Sequence, residues 1–317
     1  MTLEEVVAKF NTTPFLFAGS GITRRYYGLP DWIGLLTYFA QKVKRDQFAF
    51  QYYENKVKEM DNVDKLPEIA GYIEKDFNEE WFKNSHEIRT ESQEVQDAVA
   101  NGVSPFKAEI AAYISSLSVV KSEYKDEVKK LLKIAKNNIS GVITTNYDCF
   151  FEKLFEGYKA FIGQDELVFS QLQGIAEIYK IHGSVNFPDS IVINQADYQL
   201  FRDKGKYLAA KLMTIFMEYP IIFMGYSISD PNIQGILGDI VECLPPEKVE
   251  ALKKRFVFVD YQSDYKDCEV STHSLVIKGK VIEMTKVVLS DFGILYDVLS
   301  IKKAAFPVKL LRRFKDE

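Results

Sequence analysis

Short apolar runs, each closed by glycine or a polar residue, punctuate the chain. They are Phe15-Leu16-Phe17-Ala18 before Gly19 and Gly141-Val142-Ile143-Thr144 before Thr145-Asn146. Further on come Ile178-Tyr179-Lys180-Ile181 before His182, Ile221-Ile222-Phe223-Met224 before Gly225, and Phe256-Val257-Phe258-Val259 before Asp260. Near-continuous apolarity over so few residues is the pattern of strands buried on both faces. Segments of helical length separate the runs, which predicts an α/β fold with a parallel sheet and helices on both faces. Ligands of such sheets bind beyond the carboxyl ends of the strands, where every closing residue named above falls.

The first two runs are far enough apart to hold more than one crossover. Residues 33–138 show helical spacing at Ile33, Leu36, Tyr38 and Phe39, and again at Val128, Leu131, Leu132 and Ile134. They are expected to form a helical insertion, with the polar stretch 84–104 as a mobile connection. Leu289 to Leu299 reads as a short helix. Residues 301–317 carry six Lys or Arg among Phe306, Leu310, Leu311 and Phe314, as a surface helix or a docking arm would. The expected organisation is one unit over residues 1–300, including the insertion, and a basic amphipathic tail over 301–317.

Composition narrows the function. With 317 residues, 47% of them hydrophobic, the chain can bury a large core. Its 40 basic and 45 acidic residues leave a net charge of −5, too mild for a nucleic-acid coat. Direct nucleic-acid binding is not expected. The three cysteines, Cys149, Cys243 and Cys268, show no paired spacing, and only three histidines accompany them. No four-ligand zinc set can be drawn from these residues, so no metal is expected. Isolated cysteines suit a reducing cytoplasm. The longest apolar run near the start is Pro14 to Ala18, far short of an export core or of the roughly 20 residues of a membrane span. A soluble cytoplasmic protein is the expectation.

Each strand-end motif has both a structural and a functional reading. Gly19-Ser20-Gly21-Ile22-Thr23 lets backbone approach a pyrophosphate, or is a tight turn with no ligand. A dinucleotide fingerprint would place a third glycine where Arg24 stands. Thr144-Thr145-Asn146-Tyr147-Asp148 either caps a helix from Cys149 to Phe155 or projects an amide and a carboxylate into a crevice. His182, followed by Gly183-Ser184, is either a satisfied structural histidine or a proton acceptor near neutral pH. Gly225-Tyr226-Ser227 supplies another turn, while Ser229 or Asp230 before Pro231 reads as a helix start. Asp260 could accept from ribose hydroxyls or lie solvated in a loop.

In this order, and together with Leu29-Pro30-Asp31-Trp32, the motifs resemble the signature of the sirtuin superfamily: its Gly-Ala-Gly-Ile-Ser turn, Ile-Pro-Asp-Phe loop, Gln-Asn-Ile-Asp motif, His-Gly pair and Gly-Thr-Ser turn. The resemblance runs over residues 13–262 outside the insertion. Two departures matter. Asn186 to Asp203 contains no cysteine where sirtuin deacylases carry a zinc ribbon, and Ile33 replaces the arginine after the Pro-Asp-Phe loop. The Pro30-Asp31-Trp32 and Thr144-Thr145-Asn146-Tyr147-Asp148 forms, and the Gly225-Tyr226-Ser227…Asp230-Pro231-Asn232-Ile233 pattern, resemble instead the prokaryotic defence-associated sirtuins, which deplete NAD+ during phage infection.

The resemblance implies a Rossmann-like NAD+ site. NAD+ is the substrate, an NAD+ glycohydrolase the activity, and nicotinamide and ADP-ribose the products, with no metal. Asn146 and His182 would be catalytic. Gly19, Ser20, Gly21, Thr23, Asp148, Gly225, Ser227 and Asp260 would bind the dinucleotide. A free cytosolic NAD+ hydrolase would be toxic, so a homo-oligomer held inactive until a phage component or defence partner engages it is the expectation. The alternatives from the same residues are an NAD-dependent protein deacylase and a non-catalytic nucleotide-sensing subunit; a nuclease finds no metal-carboxylate cluster.

Overall fold

Alternation along a strand sends neighbouring side chains to opposite faces, so a four-residue apolar run can serve two cores. The computed structural model describes residues 1–60, 64–83, 88–169, 174–227, 231–245, 249, 252–265 and 267–301. Eight strands form one sheet: β1 (Phe15–Ala18), β2 (Gly141–Thr144), β3 (Lys159–Ile162), β4 (Glu177–Lys180), β5 (Ile221–Met224), β6 (Phe256–Tyr261), β7 (Glu269–Ile277) and β8 (Lys280–Leu289). Their spatial order is β3-β4-β2-β1-β5-β6-β8-β7. All neighbours are parallel except β7 and β8, which form an antiparallel hairpin at the edge. The expected α/β, Rossmann-like sheet is present, with all five apolar runs as strands. The third run is shifted by one residue, since Glu177 joins the strand and Ile181 leaves it.

The sheet's two faces bury different side chains. Leu16, Ala18, Val142, Ile178, Ile222, Val257 and Val287 point into one core. That core is covered by α1 (Leu3–Ala8), α2 (Ser20–Tyr27), α8 (Lys125–Ala135), α9 (Phe150–Leu154) and α14 (Phe292–Leu299). Phe15, Phe17, Ile143, Tyr179, Phe223 and Phe258 fill the other, covered by α10 (Gly163–Phe169), α12 (Gly205–Glu218) and α13 (Pro231–Glu242). This second face is the more aromatic, with ring pairs such as Phe17–Phe223 at 5.3 Å.

The helices between β1 and β2 divide. A third core is built by α3 (Trp32–Lys44), α4 (Ala49–Lys56), α5 (Lys65–Lys83), α6 (Gln93–Ala100) and α7 (Pro105–Ser116), around Leu36, Phe39, Tyr53, Phe77 and Phe106. Ile191 and Ile193, far along the chain, complete it. The helix α8, also between β1 and β2, packs on the sheet instead, with Val128, Leu131 and Ile134 buried and Leu132 exposed. Of the polar stretch 84–104, the described part carries α6 and the first turn leading to α7. The tail expected over 301–317 lies outside the described residues apart from Ile301. No described helix is long and apolar enough to cross a membrane.

Candidate active site

The strand-end loops after β4, β2, β1 and β5 meet at the centre of the sheet. Between them and the helical module opens a cleft of about 350 Å³. Ser20 and Thr23 line it from α2, Trp32 and Leu35 from α3, and Asn146 and Asp148 from the loop after β2. His182 lines it from the loop after β4, Tyr198 from the helix beyond that loop, and Tyr226 from the loop after β5. The sheet thus brings together Ser20, Thr23, Asn146, Asp148 and His182.

Asn146 is buried and its amide is anchored. Nδ2 donates to the carbonyl oxygen of Gly19 at 3.0 Å and to Thr23 Oγ1 at 3.3 Å. The backbone N–H donates to Thr144 Oγ1, which sets the turn out of β2. Among the described residues nothing donates to the Asn146 side-chain oxygen, so this is the atom that can receive a ligand or a water.

Asp148 is buried beside it. One carboxylate oxygen accepts at 2.9 Å from the N–H of Phe150, the first residue of α9, whose N-cap is Cys149. Burial pushes the carboxyl pKa up, while the Lys180 ammonium opposes that rise. Lys180 is itself wholly buried and pairs with Glu152 at 2.9 Å.

His182 leaves β4 into Gly183, whose φ of +94° and close approach to Ser190 suit glycine alone. The loop is tied down by the Val192 N–H donating to the His182 carbonyl and by the Tyr147 hydroxyl donating to the Val192 carbonyl. The imidazole stands edge-on to Phe201 and Tyr198, with ring centres 4.7 and 5.6 Å away, both from α11 (Gln195–Asp203). That apolar wall pulls the His182 pKa down to about 4, because the charged form would be desolvated. The ring is therefore neutral at physiological pH. Its Nε2 is buried with no hydrogen-bond partner among the described residues. An unsatisfied buried polar atom costs roughly 1–3 kcal/mol, which a ligand or water reaching it would recover. Trp32 Nε1 is the second orphan lining the cleft; its ring lies tilted on Tyr198 at 5.7 Å.

The glycines are held differently from the sequence expectation. Gly21 donates its N–H to the Gly225 carbonyl at 2.9 Å, and Ile22 donates to Gly19. A Cβ on Gly19 would meet Gly225 and the Tyr226 ring, and one on Gly21 would meet Gly225 backbone. These glycines interlock two strand-end turns, which takes up part of the donor set that a pyrophosphate would use. Tyr226 bolts the junction, its hydroxyl 2.9 Å from Thr145 Oγ1 and 3.1 Å from the Ala18 carbonyl. Ser227 is exposed at the end of this turn, and Ser229 and Asp230 lie outside the described residues. Asp260 is not in the cleft. It pairs with Lys286 at 2.8 Å and accepts from Gln262, on the β8 side of the sheet.

Sequence reading did not single out Tyr226, Tyr198, Phe201 or Lys180 as site residues. Tyr198 and Phe201 had one available signal, a three-residue spacing on a helix soon after His182. Lys180 had another, a lone cation inside an apolar strand. Among the described residues no group of three or more His, Cys, Asp or Glu is placed to hold a metal ion.

Residues 140–275 match the SIR2-like domain family. The chain is 34% identical over 104 residues to the NAD(+) hydrolase ThsA of Enterococcus faecium, covering 31% of this chain and 21% of that protein. It is 29% identical over 101 residues to the NAD(+) hydrolase ThsA of Bacillus cereus (strain MSX-D12), with 31% and 21% covered. To the NAD(+) hydrolase ThsA of Acinetobacter baumannii (strain 532279) it is 30% identical over 112 residues, with 34% and 23% covered. The matched region spans about a fifth of the length of these relatives. The order of motifs, the Rossmann-like sheet and these matches agree: residues 140–275 are similar to the SIR2-like domain family, and about a third of the chain is similar to the ThsA NAD(+) hydrolases.

Proposed function

We propose that the chain is an NAD+ glycohydrolase that releases nicotinamide and ADP-ribose. The observation that carries this reading is a buried, neutral His182 with an unpartnered Nε2, in the same cleft as an Asn146 whose amide is fixed and whose carbonyl oxygen is open. Cleaving the N-glycosidic bond builds positive charge on the ribose, and nicotinamide departs with the bonding electrons. The protein's task is to place water, orient the ribose and stabilise that charge.

In this reading Asn146 orients the nicotinamide ribose and the attacking water, and His182 accepts the proton that water loses. Asp148 holds the carboxamide. Ser20 and Thr23 face the phosphates at the start of α2, with Gly19, Gly21, Gly225 and Ser227 shaping the turns around them. Asp260 is left out, because Lys286 already engages it away from the cleft. The named activity of the ThsA relatives supports the same chemistry.

Uncontrolled NAD+ hydrolysis would be toxic to the host. We therefore place the chain in prokaryotic antiphage defence, as a cytoplasmic homo-oligomer held inactive until a phage component or defence partner engages it. The catalytic unit would be residues 1–300, with the insertion 33–138 and the basic tail as contact surfaces. The test follows nicotinamide and ADP-ribose release from NAD+ by the purified chain, alone and in extracts of phage-infected cells. Asn146→Ala and His182→Ala are expected to lose roughly 100- to 10,000-fold in turnover while keeping the wild-type circular dichroism spectrum. Binding of NAD+ with no turnover under any of these conditions rejects the enzymatic reading.

A further inference from the structure

Lys180 stands two residues before His182, and its side chain has no solvent exposure. A buried ammonium is costly unless its three N–H groups all meet acceptors. Here they do. Nζ lies 3.2 Å from the Tyr147 carbonyl oxygen, hydrogen-bonds the Asp148 carbonyl, and pairs with Glu152 Oε1 at 2.9 Å. Two of these acceptors are backbone of the loop that carries Asn146 and Asp148. The third belongs to the first turn of α9, the helix this loop begins.

We infer that Lys180 is a positioning residue of the cleft: its ammonium fixes the turn that presents Asn146 and Asp148, and its charge balances the Asp148 carboxylate against Glu152. The role in catalysis rests on the glycohydrolase reading; the electrostatic role does not. A neutral donor could hold two carbonyls equally well, so the charge needs its own reason, and Asp148 supplies one. That carboxyl is faced by Lys180 from β4, by Glu152 from α9, by Thr23 and Tyr27 from α2, and by its neighbour Cys149. Burial drives the carboxyl toward its protonated form, Lys180 drives it back, and Glu152 adds to the push of burial. Removing the cation and removing the anion must therefore move Asp148 in opposite directions. A merely structural lysine gives no such pair of signs.

The experiment compares the wild-type chain with Lys180→Met and Glu152→Gln. The Asp148 carboxyl is titrated by 13C NMR on chain labelled at aspartate Cγ, with Asp148→Asn identifying the signal, and kcat/KM for NAD+ is measured against pH. In Lys180→Met the carboxyl is expected to titrate at higher pH, with kcat/KM lowered roughly 10- to 100-fold by the displaced turn. In Glu152→Gln it is expected to titrate at lower pH. An unmoved titration in both variants, or a shift of the same sign in both, overturns the inference. If Lys180→Met does not fold, Lys180→Gln, which keeps donors for the two carbonyls and removes the charge, decides: an upward shift supports the role and an unmoved or downward one overturns it. The carboxyl titration needs no turnover, so an inactive wild-type chain would reject the glycohydrolase reading while the NMR arm still decides the electrostatic role of Lys180.

Discussion

Burial takes His182 out of the pH range in which histidine ordinarily titrates, and this links the residue to stability. Its pKa is near 6.5 when the chain is unfolded and about 4 when folded. Between those values the unfolded chain takes up a proton that the folded chain refuses. The contribution of His182 is therefore complete above about pH 6.5 and is lost as the pH falls toward 4. The amount at stake is on the order of 3 kcal/mol. The thermal midpoint of the wild-type chain should drop over this window, and His182→Gln should flatten the drop; parallel curves for the two proteins would contradict the burial of the ring. Asp148, raised by burial, works in the opposite sense, which is why the variant comparison and not the bare profile is the measurement. At this scale the sequence pointed to Asn146, Asp148 and His182 because each is a polar residue at the end of an apolar run. It did not point to Tyr198 and Phe201: their three-residue spacing marks one face of a helix, but that this face folds back over the imidazole is set by tertiary packing. For Asp260 the same strand-end logic gave a position at the end of β6, where Lys286 on the adjacent strand pairs with the carboxylate.

Among elements, the turn at Gly225 has the tightest requirement. Its φ is +74°, and a Cβ there would lie 2.7 Å from the Ile22 side chain and 2.9 Å from the Gly19 carbonyl oxygen. Gly225→Ala combines an unfavourable left-handed backbone with a clash between two turns. A loss of roughly 2–4 kcal/mol is expected, read as a lower urea midpoint with an unchanged slope. A midpoint within experimental scatter of wild type would show that the two turns are not locked. Strands buried on both faces were easy to read, since they have no polar alternation to obscure them. The strands β3, β7 and β8 were not anticipated. Lys159-Ala160-Phe161-Ile162 is a half-exposed edge with only a weak apolar signal. The hairpin alternates polar and apolar residues around Lys278-Gly279, where φ is positive at both positions, as tight hairpins demand. Reading for continuous apolarity passes over that period-two pattern.

At the scale of the whole molecule, the cleft is a seam between two bodies of structure. Leu66 and Ile114 line it from the helical core, and the strand-end loops line it from the sheet. A dinucleotide seated there touches both, so it should stabilise them together. With NAD+ at 100 times its Kd, the His182→Ala chain should gain about 2.7 kcal/mol. Hydrogen exchange should slow both in the first turn of α3 and in residues 182–193. Protection confined to the sheet side would mean the ligand sits elsewhere. The chain's length and the gap between its first two apolar runs suggested an added helical body. They gave no hint that Ile191 and Ile193, which follow the histidine loop, would complete its core, since such a contact depends on tertiary packing with no local sequence mark.

The central strand also sets a timetable for synthesis. β1 leaves the ribosome well before its two neighbours in the sheet, which come more than a hundred and more than two hundred residues later. Contacts at such separation form late, after the local helices. A nascent chain therefore holds the N-terminal half of the cleft unformed until Gly225-Tyr226 has been translated and can dock on Gly19 and Gly21. Truncated products of interrupted translation that end before that turn would lack the junction that closes the cleft.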